Sequence, residues 1–225
     1  MKVLLALFLA SFGTLAAESP TFGLQLGFGQ TRPAALDLSS STGTLSVDPA
    51  AQQAVTLRGL AAWSPAPQWT LEASLGFRPR SGGALDYRSS SSAGSGRLDV
   101  TQTLTSQLIL GGLVLRDFRQ RWFFGLGLDL RAERLAAETT HGSSAASLTR
   151  PWLRAVARCA GTGAWRPFVS LEFAAPLSRP ATSAADYIQD LDHLDAVSNP
   201  ATGSVAKAHA PASEILLAVG LRFPR

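Results

Sequence analysis

The stretch RWFFGLGLDL, residues 121–130, carries two interleaved patterns. Trp122, Phe124, Leu126, Leu128 and Leu130 are large and apolar, whereas Phe123, Gly125, Gly127 and Asp129 between them are mostly small or polar. Side chains on a strand alternate faces with period two, so the segment reads as a strand with one greasy and one thin face. Alternation alone leaves open whether the greasy face meets a protein core or lipid.

Seven further segments alternate in the same way. They cover 21–30, 54–63, 69–78, 103–115, 152–160, 165–174 and 214–223, and the opening stretch extends to about residue 134. In 69–78, for example, Trp69, Leu71, Ala73, Leu75 and Phe77 oppose Thr70, Glu72, Ser74 and Arg78. The weakest is 103–115, which sets Leu104, Leu108, Leu110 and Val114 against Thr105, Gln107 and Gly111 while Ile109 and Leu113 break the pattern. Each segment is close to the roughly nine to eleven residues with which a tilted strand crosses a bilayer.

The connections are sorted as well. Links 64–68, 116–120 and 161–164 are short, while 31–53, 79–102, 135–151 and 175–213 are long and polar. Short turns on one side and long loops on the other are the layout of an outer-membrane barrel with an even strand count. Trp63, Trp69, Trp122 and Trp165 lie on the greasy faces and flank the short turns, and Phe22 and Phe223 hold matching places at the two ends. These six residues predict an aromatic girdle at one membrane interface.

A closed barrel of eight such strands is either apolar inside, as in lipocalins, or apolar outside. A soluble barrel needs charge at nearly every outward position. Here the alternate positions are mainly Gly, Ser and Thr with isolated charges, which suits a narrow polar interior. The predicted interior set is Arg58, Glu72, Gln107, Asp129, Arg131, Glu133, Arg154, Arg158, Arg166, Glu172, Glu214 and Arg222. Counting back from the short turns puts residue 60 opposite Glu72 with Arg58 diagonal to it. The same count puts Gln107 opposite Asp129, Thr105 opposite Arg131, and Arg154 opposite or diagonal to Glu172. Partners at such spacings can meet, and an unpaired buried charge costs several kcal/mol, so an ion-paired interior is expected rather than an open pore.

Residues 1–17, MKVLLALFLASFGTLAA, have one basic residue, an apolar run from Val3 to Phe12 and small residues before Glu18. That is the form of a secretory signal peptide cleaved after Ala16 or Ala17, and the run is half the length of a spanning helix, which needs about 20 apolar residues. Residues 18–225 then fit one domain. A single cysteine, Cys159, excludes an internal disulfide. The net charge is +4, Lys2 and Lys207 are the sole lysines, and the arginines are scattered singly. No basic stripe with interleaved aromatics is present, so no nucleic-acid partner is expected.

The leader, the eight amphipathic segments, the sorted loops and the last strand ILLAVGLRF with Phe223 together resemble the small outer-membrane β-barrels of the OmpA/OmpX type. The resemblance covers the whole mature chain and rests on architecture. It implies an eight-stranded antiparallel up-and-down transmembrane β-barrel in the outer membrane of a Gram-negative-type bacterium. It also implies outer-membrane lipid as surroundings, the barrel-assembly machinery as an insertion partner, and a monomer. The chain departs from the usual aromatic terminus by adding Pro224 and Arg225.

Three stretches hint at chemistry. His141 and Ser143 in THGSS faintly resemble the Ser–His arrangement of outer-membrane lipid A deacylases, but no acid follows at a convincing distance. Asp190, Asp192, His193 and Asp195 do not match a calcium loop. A short amphipathic helix fits that segment better, with Ser183 as N-cap and Tyr187, Ile188, Leu191 and Leu194 as one stripe. The interior arginines hint at an anion path, yet eight strands leave an interior just filled by side chains. No catalytic, cofactor or metal residues are expected. The functional expectation is a structural or surface-interaction barrel, ahead of a narrow OmpW-like channel for small solutes and, third, a lipid-modifying barrel enzyme.

Overall fold

A computed structural model of the chain describes residues 19–40, 43–47, 50–91, 94–119, 121–138, 142–183, 185–187, 189–190 and 203–223. The expected leader and His141 lie outside the described residues. Among those residues ten strands form one antiparallel sheet: β1 (Thr21–Pro33), β2 (Leu36–Ser40), β3 (Gly43–Val47), β4 (Gln52–Ala66), β5 (Trp69–Ser91), β6 (Gly94–Asp117), β7 (Trp122–Glu138), β8 (Ser143–Ala160), β9 (Arg166–Pro176) and β10 (Pro211–Arg222). β5 and β6 pair with each other and close the sheet into a barrel. Eight strands make the wall, in the order β1-β4-β5-β6-β7-β8-β9-β10, with β10 returning to β1. The hairpin β2–β3 stands above the wall and pairs through β3 with the far end of β5. The architecture is an eight-stranded, all-antiparallel, up-and-down closed barrel.

Pairing partners set the stagger. A walk around the wall from Arg166 passes Arg222, Gly23, Leu60, Ser74, Gly111, Asp129 and Trp152, and returns to β9 at Pro176, ten residues beyond its start. Such a stagger tilts the strands strongly, in the roughly 35–45° range of closed barrels, and leaves a lumen that side chains can fill. Period-two alternation then divides each strand. On β7, Leu126, Leu128 and Leu130 face out and are exposed, while Asp129, Arg131 and Glu133 face in and are buried.

The links differ from those expected of the sequence. Three of the four stretches read as long polar loops are largely β-hairpin: 31–53 contains β2 and β3, 79–102 continues β5 and β6, and 135–151 continues β7 and β8. Backbone hydrogen bonds across neighbouring strands supply the ladder whatever the side chains, so Ser- and Gly-rich sequence continues it. Two of the short turns are tighter than expected, at 67–68 and 118–121, and the third, 161–165, is one residue longer. The Phe118 amide donates to the Trp122 carbonyl (2.7 Å), and the Gly161 amide to that of Pro167 (2.7 Å).

Both ends of the lumen are stoppered. Near the short turns, Leu113, Leu115 and Val156 form an apolar floor with Phe123 packed on it, and Phe168 is also buried. Ile109, Leu113 and Leu115 thus obey the alternation by facing in, and Leu104, expected on the greasy face, is buried as well. At the hairpin end, residues 203–210 cover the mouth. Ser183 Oγ accepts from the Asp186 amide (3.1 Å) at the start of a helical turn, and Tyr187 within it is buried. Of the expected stripe, Ile188, Leu191 and Leu194 lie outside the described residues. A helix, α1 (Ser204–Ala208), follows. Ala206 and Ala210 pack on Leu135, Ala146 and Leu148, on the inward faces of β7 and β8.

Candidate functional site

The interior is an array of arginines and carboxylates whose side chains come from six strands, with Gln25 and Gln107 added from β1 and β6. Asp129 on β7 is its hub. Arg58 Nη2 lies 3.1 Å from Asp129 Oδ2, Arg131 Nη2 also 3.1 Å from Oδ2, and Arg154 Nε 3.3 Å from Oδ1. The sequence places these groups there simply: all four sit at inward positions of their strands, and Arg58, Asp129 and Arg154 each have a glycine as a ladder partner, Gly76, Gly111 and Gly127. Gly111 stands directly opposite Asp129, where an added Cβ would lie 2.5 Å from Asp129 Oδ1 and 2.6 Å from Ser74 Oγ. Glycine is required there to admit the hub.

Three further clusters join this hub. Arg154 Nη1 reaches Glu172 Oε2 (3.3 Å), and Glu172 also accepts from Ser170 Oγ (3.2 Å) and from Gln25 Nε2. Arg131 reaches Glu214 (2.9 Å), which pairs with Arg78 as well. Towards the hairpin end, Glu133 accepts from Arg150 (2.6 Å), from Trp152 Nε1 (2.9 Å) and from Gln107 Nε2 (3.3 Å). The Trp152 ring is wholly buried, with the Arg131 guanidinium 4.1 Å from its centroid. Close to the short turns, Glu72 binds Arg158 (2.7 Å) and Arg222 (3.0 Å), and Arg158 stacks on Phe168 at 4.2 Å.

Charges of this kind are held at a cost in desolvation, which their mutual attraction and hydrogen bonds offset. The array is also unbalanced. Seven arginines, Arg58, Arg78, Arg131, Arg150, Arg154, Arg158 and Arg222, face five carboxylates, Glu72, Asp129, Glu133, Glu172 and Glu214.

Of the predicted interior residues, Arg58, Glu72, Gln107, Asp129, Arg131, Glu133, Arg154, Arg158, Glu172 and Glu214 are buried, and Arg222 is half-buried. Arg166 is not interior. It shares the inward face of β9 but stands at the strand's first residue, beyond the floor, and is exposed. The expected registers also shift. Glu72 pairs with Ala62 rather than residue 60, Asp129 with Gly111 rather than Gln107, and Arg131 with Ile109 rather than Thr105. Arg154 stands diagonal to Glu172, because Val156 is that residue's direct partner. Arg78, Arg150, Gln25 and Trp152 belong to the array and were not in the expected set. The period-two count from Glu72 and from Arg154 would have found Arg78, Trp152 and Arg150.

The outer face is the complement of the inner one. Exposed Phe22, Leu24, Phe28, Leu57, Leu75, Phe77, Leu110, Leu126, Leu171, Phe173, Leu217 and Val219 run around the wall, Leu126 reaching 63% exposure. Trp69, Trp122 and Trp165 are exposed beside the short turns, and Trp63 and Phe223 are half-buried there. Trp165 meets Phe223 edge to face at 5.7 Å, and the Arg116 guanidinium lies 5.5 Å from the Trp69 ring. Ser143, the described half of the His–Ser pair, is exposed at the start of β8. Asp190 is buried and caps α1, accepting from the amides of Ser204 and Val205.

No protein-family model matches the chain, and no curated protein matches it. Among solved structures the chain is similar to Neisserial surface protein A, at 12% identity and a TM-score of 0.43, over 91% of this chain and 97% of that one.

Proposed function

We propose that the chain is an outer-membrane β-barrel that spans the bilayer as a plugged, non-enzymatic scaffold and offers its long hairpins and cap for surface interaction. The observation that carries this reading is the inversion of the two faces. Large apolar side chains ring the outside while buried arginines and carboxylates fill the inside. Soluble monomers rarely expose apolar patches beyond a few hundred Å². A bilayer removes that exposure, and a closed strand ladder leaves no edge to the hydrocarbon. The tryptophans beside the short turns fit an interfacial girdle, and the contrast of short turns with long hairpins supports a periplasmic side for the turns and an outer side for the hairpins. The leader-like residues 1–17 fit export to that compartment.

The same geometry favours a scaffold over a channel. An apolar floor, an ion-paired middle and a helical cap lie in series along the lumen. Folding into detergent should give a band whose migration shifts on boiling, as a stable barrel does. Insertion into a planar bilayer should give no steady current. Folding of the purified chain in water without detergent overturns the membrane assignment, and a steady ohmic current overturns the plug.

A further inference from the structure

We propose that the short-turn mouth of the barrel is a binding site for a phosphate-class oxyanion, held by Arg158, Arg166 and Arg222. The three guanidinium groups come from β8, β9 and β10 and line one cavity of about 260 Å³ together with Phe123, Thr162 and Phe168. That volume compares with about 30 Å³ per molecule in liquid water, so an oxyanion and the group it is attached to can enter.

The charge around this cavity is one-sided. Among the described residues, Glu72 is the carboxylate that meets the cluster, and it serves both Arg158 and Arg222. Arg166 stands exposed at the rim, on the inward face of β9 and directly opposite Arg222 in the ladder. Two arginines beyond Glu72's single charge therefore face the opening. Their donors are not used up either. Arg158 is 1% exposed, and neither its Nε nor that of Arg222 has a hydrogen-bond acceptor in the protein. Buried guanidinium N–H groups rarely go without an acceptor. A planar fork of donors matches two oxygens of phosphate or carboxylate far better than it matches a spherical anion. Three forks from adjacent strands favour the more highly charged tetrahedral group.

Structural use of the arginines by Glu72 alone would explain Arg158 and part of Arg222, but not an exposed Arg166 held beside them. The oxyanion could arrive as a free phosphorylated solute or as the headgroup of an anionic lipid. The site depends on the barrel and its mouth, not on membrane insertion, so its failure would leave the membrane reading intact.

Isothermal titration of the detergent-folded chain, in a zwitterionic detergent and a phosphate-free buffer at fixed ionic strength, tests it with inorganic phosphate. Mixed micelles containing phosphatidylglycerol or phosphatidylcholine, read by native mass spectrometry, form the second arm. Saturable binding is expected in one arm, weakened about tenfold in Arg166→Gln and in Arg222→Gln and unchanged in Arg134→Gln, which is exposed on the opposite face of β7. Saturation by phosphate identifies a solute site, and selective retention of phosphatidylglycerol identifies a headgroup site. Migration before and after boiling confirms that each variant is folded. No saturable binding in either arm, or binding that Arg166→Gln leaves unchanged, overturns the proposal.

Discussion

Arg58 on β4 crosses the lumen to Asp129 on β7, its Nη2 3.1 Å from Oδ2, although two strands separate them along the wall. The contact ties opposite sides of the barrel, and Arg131 and Arg154 share the same carboxylate. Asp129→Asn leaves three buried guanidinium groups with one fewer counter-charge. Breaking a buried pair from one side costs about 3–5 kcal/mol, whereas replacing both members by apolar groups of similar volume is often neutral. Urea titration of the folded barrel should therefore show a large loss for Asp129→Asn and recovery of most of it in the pair Asp129→Leu with Arg58→Met. Equal losses in both would mean that the lumen is wet enough to screen these charges.

The five tryptophans divide between the two faces, which gives an optical test of orientation. Trp152 is wholly buried against Arg131, while Trp122 and Trp69 are exposed on the outer wall. In single-tryptophan variants reconstituted with brominated lipids, Trp122 and Trp69 should be strongly quenched and Trp152 spared. Quenching of Trp152 with sparing of Trp122 would reverse the faces. Trp152→Phe should also lose about 1–3 kcal/mol, because Glu133 then lacks the indole donor in a buried site.

The faces of the strands were legible because period two survives any error in register. Phe124, Leu126 and Leu128 need no partner to be assigned together. Register was not legible, because it depends on where each turn is centred. The β6–β7 turn was read as 116–120, yet β6 runs on to Asp117 and Arg119 takes a positive φ of 138° within a turn at 118–121. Moving the turn's centre by two residues moves every pair by four, which is why Asp129 meets Gly111 and not Gln107. The β4–β5 turn, read as 64–68, is likewise centred further along at 67–68, and an irregularity between Trp63 and Ala66 takes back one residue, leaving Glu72 opposite Ala62. Ile109 and Leu113 looked like errors in the pattern, since a polar interior was assumed to be polar at both ends. The floor that Leu113 builds with Leu115 and Val156 is where that assumption fails. Arg150 was hidden because its strand segment had the composition of a loop.

Space in the lumen is set by glycine at one critical pair. An added methyl at Gly111 would meet Asp129 Oδ1 at 2.5 Å and Ser74 Oγ at 2.6 Å, but at Gly59, on the outer wall, the nearest atom is 3.9 Å away. Gly111→Ala must displace the hub carboxylate from its arginines, and overpacking of this kind costs about 1–3 kcal/mol. Gly59→Ala should be neutral, within about 0.5 kcal/mol, or slightly stabilising through the unfolded chain. Urea midpoints of the two variants, measured side by side, check the contrast. Equal midpoints would show that the hub tolerates movement.

The cap should open in acid before the barrel does. His209 follows α1 in the segment that covers the hairpin-end mouth, and burial pulls its imidazole down to about 3 from an ordinary value near 6.5. Above pH 6.5 both closed and opened forms are neutral and stability does not change. Below it the opened segment binds a proton that the closed form refuses. The closed cap then weakens by about 1.4 kcal/mol per pH unit, down to about pH 3. Amide exchange over residues 204–208, corrected for its intrinsic pH dependence, should accelerate about tenfold per unit in that window, while the strands stay protected. His209→Gln should remove this acceleration, since glutamine does not titrate. If the wild type and the variant open with the same pH dependence, His209 does not control the cap.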